Sequence, residues 1–161
     1  MKTKLIITIL LLAASSWAGV SVYFSPQDNC EKVWVNAIGA ATNHIYVSCF
    51  GIENQRIADA LIERAKRGIA VKVCCDKLQA AGKGSLTGQL KAAGIEVIVK
   101  KTAVLEHNKM MAIDGRSGIV GSWNLSDRAQ AQDNSLVLFS GETNLVSQIE
   151  TAWQAIYRRD R

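Results

Sequence analysis

Apolar residues along the chain change spacing several times, and these changes predict alternating strands and helices. Short continuous runs rich in β-branched residues predict strands, whereas apolar positions three or four residues apart predict amphipathic helices. Strands are predicted over 20–24, 44–50, 69–75, 95–99, 106–113, 117–120 and 134–139. Helices are predicted over 30–41, 54–67 and 85–93, and over a C-terminal segment with Leu145, Ile149, Ala152, Trp153 and Ile156 on one face.

This order of elements predicts an α/β fold with one mixed sheet of parallel and antiparallel strands, covered by helices on both faces. The pair Asp114-Gly115 is a hairpin signal, so the strands on either side of it should be antiparallel. The segment 76–84 is polar and contains glycines, which predicts a loop. The chain has one proline and no low-complexity linker, so residues 19–161 are predicted to form a single domain.

The first 18 residues have the three-part layout of a secretory signal peptide. Lys2 and Lys4 form a basic start, residues 5–14 are apolar, and Ser16 and Ala18 are small residues at the positions that precede a cleavage site. The apolar run is shorter than the roughly 20 residues that a membrane-spanning helix needs. We therefore expect cleavage after Ala18 and a periplasmic or secreted protein, with membrane attachment only if the leader is retained.

Composition adds two constraints. The chain is 48% hydrophobic with a formal net charge of +5, which suits a folded core and favours anionic partners such as nucleic acid or anionic lipid. Four cysteines are present, Cys30, Cys49, Cys74 and Cys75. Their spacing matches neither a zinc site nor a disulfide-rich module, and neighbouring residues of a strand face opposite ways. We expect buried thiols with at most one disulfide.

The candidate chemistry lies in two short segments. His107 and Lys109 are two residues apart on a predicted strand, and Ser122 and Asn124 repeat that spacing on the returning chain. Residues i and i+2 of a strand share a face, so the four side chains should converge on one surface. Imidazole, ammonium, hydroxyl and amide groups can all contact phosphate oxygens.

This set of groups predicts phosphoryl transfer. A neutral imidazole can attack phosphorus and form a covalent intermediate, while Lys109 and Asn124 stabilise the charge on the phosphoryl oxygens. No acidic pair with metal-ligand spacing lies nearby, so the sequence predicts neither a metal ion nor another cofactor. The alternative, an exposed polar strand face, would explain a lone His-x-Lys but fits four recurring polar positions poorly.

The two segments together resemble the phospholipase D superfamily signature H-x-K-x4-D-x6-G-S-x-N, in particular that of its small bacterial single-motif endonucleases. His107, Lys109, Asp114, Gly121, Ser122 and Asn124 match it without a gap. The resemblance implies a phospholipase D-like fold and a metal-independent phosphodiesterase. It also implies two histidines, a nucleophile and a general acid, whereas this chain carries one motif.

The missing histidine leads to an expectation about assembly. His44 has no lysine two residues later and is predicted to be structural. A symmetric homodimer would bring two copies of His107 together across its two-fold axis. One imidazole would be neutral and the other protonated, a division that like-charge repulsion favours.

Two acidic residues need separate assignments. Asp114 lies at the hairpin turn and points away from His107 by strand parity, so a structural role is favoured over a catalytic one, with Gly121 as the other structural member of the motif. In the family an acidic residue downstream holds the histidine ring. Asp133 is the candidate here, although the family usually has glutamate, and Glu106 is the alternative.

Further binding groups and other functions stay open. Lys77, Lys83, Lys100 and Lys101 lie near strand ends and either form a phosphate-binding rim or are solvated loop charges. Trp123 either stacks on a base or packs in the core. The leading function is a low-specificity endonuclease that acts on the DNA or RNA backbone. The alternatives are a phospholipid-headgroup phosphodiesterase and a non-catalytic nucleic-acid-binding protein.

Overall fold

Seven strands form one sheet in the computed structural model, which describes residues 18–161. The strands are β1 (Gly19–Ser25), β2 (His44–Cys49), β3 (Ala70–Cys75), β4 (Glu96–Val99), β5 (Lys109–Ile113), β6 (Ser117–Gly121) and β7 (Asn134–Ser140). The helices are α1 (Cys30–Gly39), α2 (Gln55–Lys66), α3 (Lys77–Ala80), α4 (Thr87–Ala92) and α5 (Thr143–Asp160), with a 3-10 helix at Asp127–Ala131. The predicted signal peptide covers residues 1–18, of which 1–17 lie outside this range, and it stays a prediction.

Asparagine side chains begin the two long helices on one face of the sheet. The side chain of Asn29 accepts a hydrogen bond from the backbone N–H of Lys32 at 2.8 Å, and that of Asn54 accepts one from Ile57 at 3.0 Å. Such caps satisfy N–H groups that have no partner inside the helix. At the end of α2, Gly68 has a φ of +84°, a conformation that favours glycine and stops the helix.

The strand order is β1-β7-β6-β5-β2-β3-β4. β2, β3 and β4 are parallel to one another, whereas β5, β6, β7 and β1 continue the sheet in antiparallel steps. The carboxyl ends of β1, β2, β3, β4 and β6 therefore meet the amino ends of β5 and β7 at one end of the sheet. All motif residues except Asp114 lie at this end, which we call the His107 end.

The two faces of the sheet have separate apolar cores. α1, α2 and α4 cover one face, where Trp34, Ile57 and Met111 are fully buried. α5 covers β2, β5 and β6 on the other face through Val146 and Trp153, and the Trp153 indole donates a hydrogen bond to the carbonyl of Val47 at 2.8 Å. The predicted mixed sheet with helices on both faces is confirmed. Within residues 18–161, no helix is long and apolar enough to cross a membrane.

α5 leaves part of its face of the sheet open at the edge strand β1. Val20, Val22 and Phe24 are 52%, 52% and 53% exposed. They alternate with Tyr23, which packs against the α1–α2 core, so they point to the α5 side. Val22 pairs with Val137 on β7. We call Val20, Val22 and Phe24 the β1 strip.

Two sequence predictions need correction. The strand predicted over 106–113 begins only at Lys109, because the Glu106 carboxylate accepts hydrogen bonds from the Asn108 backbone N–H and side-chain amide and folds residues 106–108 into a turn. The loop predicted over 76–84 contains the short helix α3, which Asp76 caps by accepting a hydrogen bond from the backbone N–H of Leu78 at 2.9 Å.

The cysteines are four buried free thiols. Cys74 and Cys75 belong to opposite cores, as expected for neighbours on a strand. Burial raises the pKa of Cys74 to about 12 and that of Cys75 to about 11. Because the thiolate is the reactive form, these side chains are chemically inert packing groups.

Candidate active site

His107 lies in the turn that leads into β5, and its side chain is exposed. The imidazole meets the ring of Phe50 edge to face, with centroids 5.1 Å apart and planes at 63°. No hydrogen bond to the imidazole is present within residues 18–161. An exposed ring that contacts an aromatic neighbour and has no hydrogen-bond partner in the described part of the chain can approach a phosphorus atom or exchange a proton.

Lys109 is the first residue of β5 and is only 6% exposed. Its Nζ donates a hydrogen bond to the carbonyl oxygen of His107 at 2.7 Å and lies 5.7 Å from the centre of the Phe50 ring. The ammonium therefore folds back to the backbone of His107. The two side chains do not project together from one strand as predicted, since His107 precedes β5, but both contact Phe50. Two of its three protons stay available for an anion.

The charge on Lys109 has no acidic partner within hydrogen-bonding distance among the described residues. Burial lowers the pKa of the Lys109 ammonium, and the nearby Cys49 and Glu106 offset part of this effect. An ammonium that is poorly solvated and has no salt-bridge partner interacts strongly with a bound anion, so a phosphodiester would stabilise the charge of Lys109.

Asn124 follows β6 and lines a cavity of about 240 Å³ together with Phe50. Its Oδ1 is buried and has no hydrogen-bond partner among residues 18–161. A buried polar atom without a partner costs free energy unless a ligand or water satisfies it. Phe50 thus connects His107 and Lys109 to the cavity that contains Asn124. The other polar residues that line this cavity are Glu53, Gln79, Ser126, Arg128 and Gln132.

Ser122 faces a second cavity, of about 630 Å³, which Phe24 and Asp133 also line. Its hydroxyl donates to Asn134 Oδ1 at 3.1 Å and accepts from the backbone N–H of Ser135 at 3.0 Å. These bonds tie the end of β6 to β7. Within residues 18–161 no hydrogen bond joins Ser122 to His107, and the convergence of the four polar side chains on one surface stays a prediction.

Asp133 is exposed at the rim of this second cavity. Its carboxylate makes no hydrogen bond to His107 within residues 18–161, and its assignment as the acid that orients the imidazole stays a prediction. Glu106, the alternative, is 2% exposed and turned inward to Asn108 and Lys100. It shapes the backbone on either side of His107.

Gly121 has no room for a side chain. A Cβ at this position would collide with the carbonyl oxygen of Ser135 and would lie 2.9 Å from the Cα of Leu136. β6 and β7 approach closely here. The motif glycine therefore sets the position of Ser122 and Asn124 through the backbone.

Asp114 and His44 lie together at the opposite end of the sheet, which we call the His44 end. The Asp114 carboxylate accepts hydrogen bonds from the backbone N–H groups of Thr42, Asn43 and His44 at 2.7–2.8 Å, and from the Thr42 hydroxyl at 2.8 Å. His44 Nε2 lies 2.7 Å from Glu150 Oε1. Both side chains hold structural elements together and are remote from His107.

The lysines that were predicted near the strand ends fall into two groups. Lys77, Lys83 and Lys101 are exposed. Lys100 is 4% exposed, with its ammonium 3.9 Å from Glu106 and 3.6 Å from Asp160. Because this ammonium is buried between two carboxylates, the suggestion that Lys100 belongs to a phosphate-binding rim is wrong.

Sequence reasoning missed Phe50, which contacts both motif side chains. The available signal was its position directly after the carboxyl end of a parallel strand, where ligand-binding residues of α/β sheets gather. Trp123 is 1% exposed, so the core-packing alternative is confirmed. Within residues 18–161, no three His, Cys, Asp or Glu side chains come together in a way that could hold a metal ion.

Comparison with known proteins agrees with this geometry. A family described as "Cardiolipin synthase, PLD-like domain" matches residues 34–157. "Phospholipase D" of Rickettsia bellii is 31% identical over 134 residues, which cover 83% of this chain and 67% of the relative. "Mitochondrial cardiolipin hydrolase" of Danio rerio is 32% identical over 121 residues, covering 74% and 53%.

Solved structures give the same fold. The phospholipase D family member Nuc from Salmonella typhimurium has a TM-score of 0.84 at 22% identity, covering 90% of this chain and 97% of that one. NucT from Helicobacter pylori has a TM-score of 0.78 at 19% identity, covering 88% and 97%. The chain belongs to the phospholipase D-like family, as a hydrolase of that superfamily.

Proposed function

We propose that this protein is a metal-independent phosphodiesterase that cleaves the nucleic-acid backbone with low sequence specificity. The observation that carries the proposal is the exposed His107 imidazole beside the buried Lys109 ammonium, which has no salt-bridge partner among residues 18–161. A phosphodiester supplies the missing negative charge, and the amide of Asn124 adds a further contact to its oxygens.

The reaction has two displacements. The imidazole of one neutral His107 attacks phosphorus, and the bond between phosphorus and the leaving oxygen breaks with its electron pair on that oxygen. A second, protonated imidazole donates a proton to it. Water then gives a proton to the second imidazole and attacks the phosphohistidine, whose phosphorus–nitrogen bond breaks and restores His107.

A second copy of the chain supplies the second imidazole in this proposal. His44 cannot do so within one chain, because it is bound to Glu150 at the opposite end of the sheet. The β1 strip supports self-association, since it is apolar, lies beside the open part of the α5 face and reaches the His107 end at Phe24.

Nucleic acid is favoured over lipid by the lining of the site. Most of the residues that line the two cavities beside the motif are polar, with Phe24 and Phe50 as the large apolar side chains. Exposed Lys77, Lys83 and Arg128 can follow a phosphate backbone without reading bases. The fold shared with the proteins named Nuc and NucT supports the same substrate class.

A phospholipid-headgroup phosphodiesterase is the second candidate. It is supported by the names of the relatives that are about 30% identical and by exposed Leu78, Val104 and Leu105 near His107. Incubation of the purified protein with plasmid DNA and with phospholipid vesicles, both in EDTA, separates the two. We expect EDTA-resistant DNA cleavage. Lipid turnover without DNA cleavage would establish the second candidate, and binding without either reaction would show a non-catalytic protein.

Mixing tests the shared site. Wild-type and His107→Asn chains are unfolded together in equal amounts, refolded and assayed. If both imidazoles act at one phosphorus, only wild-type homodimers cleave, and activity falls to about one quarter of the all-wild-type value. Activity of about one half would show independent sites and overturn the shared mechanism.

The β1 strip is tested separately. Val22→Arg places a charge in the strip and should give a monomer in sedimentation with loss of cleavage. The control is Asp59→Arg, an exposed position on α2 across the sheet, which should remain an active dimer. An active monomeric Val22→Arg protein would contradict the dimer proposal.

A further inference from the structure

Three large apolar side chains project from two neighbouring segments at the His107 end. Leu78, Val104 and Leu105 are 67%, 60% and 52% exposed. Single exposed apolar residues are ordinary on protein surfaces, whereas a cluster beside a functional site marks an interaction surface. We call these three residues the apolar rim.

Hydrogen bonds hold the two segments of the rim side by side. They follow β3 and β4, which pair in register at Cys75 and Val99. The backbone N–H of Lys100 donates to the carbonyl of Cys75 at 2.9 Å, and that of Glu106 donates to Asp76 Oδ2 at 3.1 Å. Leu78 lies two residues beyond Asp76, and Leu105 directly precedes Glu106, so the rim is one surface.

A buried charge network fixes the base of the second segment. The Lys100 ammonium lies between Glu106 and Asp160, and all three side chains are at most 2% exposed. Asp160 Oδ1 also accepts hydrogen bonds from the backbone N–H groups of Lys101 and Thr102. Both ends of the segment 100–106 are therefore anchored, and its tip presents Val104 and Leu105 to solvent in a preorganised form, which lowers the entropic cost of binding.

The charges around the apolar rim are positive. Lys77 and Lys101 flank the rim in the sequence, and Lys83 follows Lys77 along the chain. All three lysines are exposed. The acidic residues of these segments, Asp76 and Glu106, are 2% exposed and turned inward. Exposed apolar tips between lysines complement an anionic lipid surface, where headgroups attract the ammonium groups and the interface accepts the apolar side chains.

The chemistry of the apolar rim distinguishes three possible binding partners: nucleic acid, a second copy of the chain and a lipid surface. A nucleic-acid backbone would satisfy the lysines but would leave Leu78, Val104 and Leu105 in water. A second copy would bring lysines against lysines across a two-fold axis, and the β1 strip offers it an apolar surface without lysines or arginines. We propose that the apolar rim docks the protein on an anionic lipid surface, with His107 facing that surface. This docking does not depend on which phosphodiester is cleaved.

Binding to vesicles tests the docking in a His107→Asn background, so that lipid turnover plays no part. We expect tighter binding to phosphatidylcholine mixed with phosphatidylglycerol than to phosphatidylcholine alone. Val104→Asn combined with Leu105→Asn should weaken anionic binding at least tenfold, and the exposed control Leu145→Asn, 36% exposed at the His44 end, should not. Equal losses in both proteins, or no preference for anionic vesicles, would overturn the proposal.

A fluorescent probe reports contact directly, and residues 1–17 are the same in every protein compared. Because the native thiols are buried, an environment-sensitive maleimide dye should label Leu105→Cys selectively. Anionic vesicles should shift its emission to the blue, with no shift for the exposed Lys66→Cys control. A dye that stays in water at position 105 would sink the proposal. The double variant Val104→Asn with Leu105→Asn, made with His107 intact, should hydrolyse bis(p-nitrophenyl) phosphate at the wild-type rate, which shows that the fold and the chemistry are intact.

Discussion

Similar polar groups lie at the two ends of the sheet, but among residues 18–161 they are paired at one end and unpaired at the other. At the His44 end, His44 is bound to Glu150 and the Asp114 carboxylate accepts four hydrogen bonds. At the His107 end, the imidazole is exposed. In the described part of the chain, Lys109 has no salt-bridge partner and Asn124 Oδ1 has no hydrogen-bond partner. Polar groups that a fold leaves without partners are available to a substrate, so this contrast supports the proposal that the reaction takes place at the His107 end.

The largest expected effect comes from exchanging the two histidines in turn for asparagine. His107→Asn removes the nucleophile and should lower the cleavage rate about 10³-fold or more. His44→Asn breaks the contact with Glu150 and should cost about 1 kcal/mol of stability with activity nearly unchanged. The rates are measured on one DNA substrate and the stabilities by urea denaturation. Comparable losses of activity would remove the distinction between the two ends.

Removal of the Lys109 charge should have the next largest effect. Lys109→Met keeps the buried stem and should reduce the rate about 10²-fold, because a group that stabilises phosphoryl charge is lost. The control is Lys72→Met, which removes a surface pair with Glu96 at 3.1 Å and should change the rate little. An active Lys109→Met protein would show that the phosphoryl charge is stabilised elsewhere.

The same lysine predicts an alkaline limit of activity. Burial lowers the pKa of Lys109. Its positive charge is therefore present at low pH and is lost as the pH rises through this pKa, which is below that of an ordinary lysine. In a pH–rate profile, activity should fall as the pH rises through the pKa of Lys109. Lys109→Arg keeps its charge to higher pH, so its residual activity should extend further into alkaline conditions. If Lys109→Arg leaves the alkaline limb unchanged, the loss of activity at high pH arises from another titrating group.

The sequence predicted most of the fold because burial on both faces of a sheet leaves continuous apolar runs, and because Asn29, Asn54 and Asp114-Gly115 mark helix starts and a turn. It failed where a side chain redirects the backbone. Glu106 looks like the start of a strand in the apolar pattern, yet its carboxylate binds Asn108, and the strand begins only at Lys109.

The candidate site was predictable in part for the same reason. Motif spacing located His107, Lys109 and Asn124, since those residues are members of the motif itself. Spacing could not locate Phe50, which comes from a different strand, or separate buried Lys100 from exposed Lys101, since both distinctions arise from tertiary packing. Strand parity also placed Ser122 with His107, although its hydroxyl binds Asn134 and Ser135.

Glycine substitutions sharpen the comparison at the level of the backbone. Gly121→Ala forces a Cβ into the Ser135 carbonyl at the His107 end and should cost about 3 kcal/mol, with reduced activity because Ser122 and Asn124 move. Gly39→Ala is the control, since nothing lies within 4 Å of the added carbon, and it should be neutral or stabilising by about 0.5–1 kcal/mol. Urea denaturation of both proteins measures the difference, and equal stabilities would contradict the tight packing at Gly121.

The smallest expected effect is a change in acid sensitivity at the His44 end. Burial by itself would raise the pKa of Asp114, but the hydrogen bonds from His44, Thr42 and Asn43 outweigh it and hold the pKa below its usual value. The resulting stability is fully present above the unfolded-state pKa, about 3.9, and is lost as the pH falls through the lower folded-state value.

Asparagine is a suitable replacement for Asp114, because it tolerates the φ of +56° at this position. Asp114→Asn should therefore cost about 1 kcal/mol at neutral pH and flatten the acid limb of unfolding free energy against pH. Asp59→Asn, at an exposed carboxylate, should retain that limb. Because the His44 end only supports the fold, the Asp114→Asn protein should still cleave its substrate at neutral pH, and a loss of activity without a loss of stability would give Asp114 a role in the chemistry after all.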